Sequence, residues 1–294
     1  MRTFVLALLV VAMCWFAFYA ANAQTLDVPK QAVAGKEFSI QTSGSGDGTF
    51  LLIGPAGVVK HKITLGSPLN IAAEEVRAAG RYEAIIQGNG EPQTATFFVT
   101  PARPATLIFL ARPSRVRAGA KGVISGVAFV FDDYKNLVLA PAQVKFDLTT
   151  EGKESSARSV ETHEGIAWTH MDSGSRQGAA QFVASLPGDD SAAGSVRRVV
   201  QQVAADACDL RMKIQKTAAA IEVQTDPVKD CSGNPLPDGT IVTFSEVDSS
   251  GRSTVDARIK KDVARAQLPL SNNATISVAS GVVLGNEVHV GGGE

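Results

Sequence analysis

Cysteine is scarce in this chain of 294 residues, which carries three, Cys14, Cys208 and Cys231. No Cys-x-x-Cys pair occurs and no histidine lies near Cys208 or Cys231, which argues against the common zinc modules and a reactive thiol pair. Charge of one sign is equally scarce: 28 Lys and Arg stand against 29 Asp and Glu. There is no basic surplus to neutralise a phosphate backbone or an anionic bilayer, so neither nucleic acid nor a membrane surface is an expected partner. Aromatic residues make up 6% of the chain and tryptophan occurs twice. No Gly-x-Ser-x-Gly elbow and no phosphate-cradling loop appears, and no nucleophile–base pair is evident. What is present, 45% hydrophobic and 19% charged residues, is ordinary for a globular chain and excludes disorder as the main state. The length accommodates two or three domains.

The first segment reads as an export signal. Arg2 precedes an apolar run from Phe4 to Tyr19, and Ala21-Asn22-Ala23 places small residues where signal peptidase needs them. Cleavage after Ala23 is expected, with an uncleaved anchor as the alternative. Cys14 lacks the sequence context of a lipidation site. Once the leader is removed, no membrane insertion is expected, and Cys208 and Cys231 remain in an oxidising compartment where pairing is the default. A single Cys208–Cys231 disulfide is expected, closing a loop of about two dozen residues.

Residues 24 onward show short alternating or β-branched runs separated by Gly, Pro, Asn and Asp, with little helical periodicity. The fold class expected is all-β. Candidate strands in the first unit cover 37–41, 49–53, 58–63, 81–87 and 94–99. Tyr82, Ala84 and Ile86 fall on one face, and Arg81, Glu83 and Gln87 on the other. Gly80-Arg-Tyr82-Glu-Ala84 resembles the tyrosine corner of immunoglobulin-like domains, with Ala84 in the place of the second cysteine. Pro101-Ala-Arg-Pro104 marks a boundary. Further strands are expected at 106–111, 123–131, 141–148, 179–185 and 198–204, with 151–156 and 187–194 as loops. Asp132, Asn136, Val144 and Phe146 recur as Asp230, Asn234, Val242 and Phe244. This self-similarity at one offset, about the length of a sandwich domain, signals duplicated modules. The segment from Gly165 aligns loosely with that from Asp262 at an offset shorter by one.

Asn234-Pro-Leu-Pro-Asp238-Gly239-Thr240-Ile-Val242-Thr-Phe244, followed by Val263-Ala-Arg-Ala-Gln-Leu268, resembles the group-1 bacterial immunoglobulin-like domains (Big-1) of invasin- and intimin-type surface proteins. The second unit resembles them more weakly, through Asn136, Pro141, Val144 and Phe146, and the first is only generically immunoglobulin-like. The resemblance implies tandem β-sandwiches after a signal peptide, divided as 1–23, 24–100, 101–204 and 205–294. It also implies adhesion as a common use, although such folds host unrelated functions.

Candidate chemistry is thin. Glu161, His163, Glu164, His170 and Asp172 could ligate a metal or relay protons, but the helical His spacing that such chemistry needs is missing, and a solvated strand face is the better reading. Asp132, Asp133 and Asn136, with Asp226, Asp230 and Asn234, offer oxygen ligands for calcium near the domain junctions. Local turn hydrogen bonding is the stronger explanation of the same residues. Trp168, the only tryptophan outside the leader, reads as a core residue by preference, or as a ligand contact if exposed. Arg112, Arg115 and Arg117 read as a solvated stripe beside the first boundary. The expectation is therefore a secreted or periplasmic protein at the cell surface that is not an enzyme and holds no cofactor or metal. It would bind a protein or glycan there, or act as a spacer. A carbohydrate-binding or docking accessory of an exported enzyme system is the alternative.

Overall fold

The computed structural model describes residues 24–150, 155–188 and 194–291. The expected leader, Cys14 included, lies outside the described residues. The first unit contains β1 (Thr25–Asp27), β2 (Gln31–Val33), β3 (Phe38–Ser43), β4 (Asp47–Gly54), β5 (Gly57–Thr64), β6 (Leu69–Ile71), β7 (Gly80–Gln87) and β8 (Gln93–Thr100). One sheet has the order β1-β3-β6 and the other β2-β8-β7-β4-β5. The pairs are antiparallel except for the short parallel β2–β8 contact.

The second unit follows with β9 (Thr106–Arg112), β10 (Arg115–Arg117), β11 (Ile124–Phe131), β12 (Gln143–Thr149), β13 (Ser155–Glu161), β14 (Ile166–Met171), β15 (Gly178–Ser185) and β16 (Ser195–Val203). Its sheets run β14-β11-β9 and β10-β16-β15-β12-β13. The third unit holds β17 (Met212–Lys216), β18 (Ile221–Thr225), β19 (Ile241–Asp248), β20 (Gly251–Arg258), β21 (Arg265–Leu268), β22 (Ala274–Ser280) and β23 (Val283–Val290). Here the sheets are β17-β18-β21 and β20-β19-β22-β23.

Each pair of sheets encloses its own hydrophobic core, because alternate residues of every long strand turn inward. Tyr82, Ala84 and Ile86 are buried with Phe50, Leu52 and Phe97 in the first. In the second, Phe109, Phe146 and Phe182 meet with ring centroids 5.0 to 6.1 Å apart, arrangements that add about 0.5–1.5 kcal/mol per pair beyond the area they bury. Val242, Phe244, Ile276 and Val278 lie at the centre of the third.

The tyrosine corner is present: the Tyr82 hydroxyl donates to the Ala78 carbonyl at 2.9 Å. The repeat is structural as well as sequential. Val144, Phe146, Val242 and Phe244 are all fully buried, and the Phe131–Leu137 and Lys229–Pro235 bridges occupy equivalent turns. The shorter offset also holds, since His163 bridges Ile166 as Lys260 bridges Val263. The disulfide joins Cys208 to Cys231.

One loop expectation fails in part. Residues 155 and 156, assigned to a loop, begin strand β13. Its sequence, Ser-Ser-Ala-Arg-Ser-Val-Glu, lacks apolar alternation because it is a terminal strand exposed along most of its length. The three-residue strands β1, β2, β6 and β10 are too short for any alternation to register.

Candidate functional site

The duplicated Asp and Asn residues form two interdomain joints. At the first, Asp132 Oδ1 accepts the N–H groups of Tyr134 and Asn136 at 2.9 and 2.8 Å. Its Oδ2 accepts the Ala102 N–H at 2.9 Å and the Asn136 amide at 2.9 Å. The carboxylate thus ties a tight Asx-type turn to the incoming linker. Held in that turn, Asn136 reaches the first unit: its Oδ1 accepts the Ala79 N–H and its Nδ2 donates to the Arg77 carbonyl, both at 2.8 Å.

The second joint repeats every contact. Asp230 accepts from Ser232, Asn234, Ala205 and the Asn234 amide. Asn234 accepts the Gln177 N–H at 3.0 Å and donates to the Ser175 carbonyl at 2.8 Å. The residues contacted in the preceding unit, 77 and 79 in one joint and 175 and 177 in the other, keep the spacing of the sequence repeat. Burial by itself would push the Asp132 and Asp230 carboxyls up. The side-chain amides and backbone N–H groups around them outweigh it and hold both below the usual carboxylate range.

The joints differ in reinforcement. At the first, the Tyr134 ring sits against Gly35, which has φ +68° and where a Cβ would collide with the ring. The Arg77 guanidinium lies 5.9 Å from the ring centroid. The tyrosine corner fixes Ala78, between the two residues that Asn136 grips. At the second joint Cys231 lies inside the Asx turn, and its bond to Cys208 staples that turn to the linker. Arg117 adds an exposed ion pair to Asp206 at 2.7 Å. Arg117 therefore stands at the second junction rather than beside the first boundary.

The oxygens considered for calcium are engaged by N–H donors at Asp132 and Asp230, and Asp226 pairs with Lys213 at 2.6 Å. The turn reading accounts for Asp132 with Asn136 and for Asp230 with Asn234. The other cluster is dispersed. Glu161 ends β13 beside Gln143, His163 and Glu164 form a turn with Glu164 at φ +51°, and Asp172 accepts the Gly122 N–H at 2.7 Å. Among the described residues no three His, Cys, Asp or Glu side chains form a metal-sized group.

The preferred core reading of Trp168 is overturned: its side chain is 62% exposed. It lies on the outer face of the β14-β11-β9 sheet, where the register aligns Leu110, Val127 and Trp168 in one row and Ile108, Phe129 and Ile166 in the next. Leu110 and Ile108 are also exposed. A third row holds Arg112, Ser125 and His170. His170 Nδ1 is 3.1 Å from the Ser125 hydroxyl, and its ring meets Trp168 edge to face at 5.5 Å. These rows form a contiguous, partly exposed apolar face on the sheet.

No protein-family model and no curated protein sequence matches the chain. Solved structures do match in fold. FdeC, an Escherichia coli adhesin, superposes with a TM-score of 0.60 at 13% identity, covering 93% of this chain and 98% of that one. InvD of Yersinia pseudotuberculosis gives 0.52 at 13% identity, covering 92% and 98%. Invasin, a bacterial integrin-binding protein, gives 0.50 at 13% identity, and the match covers 89% of this chain but 57% of the invasin chain. The chain has the tandem immunoglobulin-like β-sandwich fold of invasin-type proteins.

Proposed function

We propose that the chain is an exported, non-enzymatic array of three immunoglobulin-like sandwiches, divided near residues 100 and 204, that serves adhesion or binding at the cell surface. Its joints hold a contact surface at a fixed reach. The duplicated Asp–Asn clamp carries this reading: a chain whose domains merely followed one another would need no side chain committed to bridging each junction. Likeness in fold to FdeC, invasin and InvD supports it, as does the apolar leader. Among the described residues no helix is long and apolar enough to cross a membrane.

Small-angle X-ray scattering tests the mechanical part. The native chain should scatter as a stiff, extended particle, and the Asn136→Ala/Asn234→Ala variant as a flexible one with a broadened distance distribution. Coincident profiles would overturn the clamp as the source of stiffness. Proteolytic shaving of intact cells tests the surface location, which is lost if the chain stays protected.

A second reading, a carbohydrate-docking accessory of an exported enzyme system, is favoured by one observation, the exposure of Trp168. Sugar rings stack on such indoles, and Arg158, Ser159 and His170 in the same groove could hydrogen-bond hydroxyls, but the row that Trp168 shares with Val127 and Leu110 is aliphatic.

A further inference from the structure

The outer face around Trp168 ends at a sheet edge, and that edge is open. Val130 donates its N–H to the Gly165 carbonyl at 2.9 Å, so the even-numbered residues of β11 turn their backbone groups towards β14. By the alternation of an antiparallel ladder, Ala167, Thr169 and Met171 return those bonds. Trp168 and His170 then direct their N–H and C=O groups away from the sheet, and neither has a backbone partner there among the described residues. β13, the terminal strand of the opposite sheet, runs alongside without pairing to β14. Between the two edges lies an open groove lined by Arg158, Ser159, Val160, Trp168, Thr169 and His170.

We propose that this groove and the adjoining face bind an extended peptide segment of a partner protein, acidic at alternate positions and apolar at the others, which adds to β14 as a further strand. The proposal deepens the binding role given above and rests on it. Strand addition draws affinity from the free backbone groups and specificity from the alternate side chains. Apolar side chains on one face of the guest would lie over Trp168 and against the Leu110 and Val127 row. The charges select an acidic guest. Arg158 lies in the groove and makes no ion pair among the described residues, and in register with the buried Phe146 it meets the guest side chains that alternate with those over Trp168. The nearby acids sit at the ends, Glu161 beside Gln143, Glu164 in the turn between β13 and β14, and Asp172 against the Gly122 N–H. A second copy docking edge to edge would bring one basic groove against another, which disfavours self-pairing.

The test uses the full chain and two fluorescein-labelled peptides of about ten residues, one alternating Val with Glu and the other Val with Lys, read by fluorescence anisotropy. The Glu peptide should bind at least about tenfold more tightly. His170→Pro removes an outward N–H without touching the ladder to β11, a replacement that edge strands tolerate, and should weaken the Glu peptide about tenfold while the melting temperature holds. Arg158→Glu should reverse the preference between the peptides, a readout that a folding defect cannot mimic. Equal binding of both peptides, no binding of either, or binding unchanged by both variants would overturn the proposal. So would saturable glycan binding lost in Trp168→Ala but retained in His170→Pro. None of these variants touches the joints, so the scattering profile stays as in the native chain, and failure here is distinguishable from failure of the array reading.

Discussion

Asp230 and Glu246 are both buried carboxylates of the third sandwich, at 4% and 3% exposure, and their surroundings drive them in opposite directions. Asp230 is encircled by N–H donors and its pKa is held down. Glu246 points from β19 into the interior, where its Oε1 has no partner, and burial together with the neighbouring Asp248 charge pushes its pKa up. A carboxyl with a raised folded pKa costs stability once pH climbs above its unfolded value, and the cost is complete above the folded pKa. Glu246→Gln should therefore raise the melting temperature at pH 7, and the gain should vanish below about pH 4, where the native acid is neutral in both states. Thermal melts across pH check this. Neither assignment was available from residue type. Strand alternation places Glu246 on the face of Val242 and Phe244, but only the packed interior shows that nothing answers its oxygen.

Among the elements, the long strands were the most legible. The expected 49–53, 58–63, 81–87 and 94–99 all lie inside β4, β5, β7 and β8, because short β-branched, aromatic or alternating runs bounded by turn residues carry the strand signal. β14 misled for the opposite reason. Its inward residues are Ala167, Thr169 and Met171 and its outward ones Ile166, Trp168 and His170, so bulk and aromaticity fall on the solvent side and the pattern points the wrong way. The disulfide was legible from compartment and count, but its placement within the Asx turn of the second joint was not. Replacing both cysteines, as Cys208→Ser/Cys231→Ser, frees a loop with a sequence separation of 23 and should lower unfolding stability by about 3 kcal/mol in the chain-entropy account, measured by denaturant titration. The first joint, which has Tyr134 and Gly35 instead of a disulfide, should be unaffected in hydrogen exchange.

For the whole molecule, joint integrity follows the ionisation of Asp132 and Asp230. Their folded pKa values are depressed, so the stability they contribute is present above the unfolded carboxylate value, about 3.9, and is lost as pH falls through the lower folded values. The array should keep its scattering profile from neutral pH down to about pH 4 and become flexible only in stronger acid. Loosening between pH 5 and 7 would show that another group governs the joints.

The sequence alone determined that this protein is built of β-strands, that its modules repeat, and that Asp132 and Asp230 head turns followed by buried Val and Phe. Alternation, turn chemistry and spacing are local properties, and a chain carries them before it folds. Tertiary structure decided that Asn136 and Asn234 reach out of their own units to grip the preceding ones, and that Trp168 faces solvent beside an open edge. Both depend on which surfaces come together across tens of residues. A side-chain amide satisfied within its turn and one spanning a junction look the same along the chain.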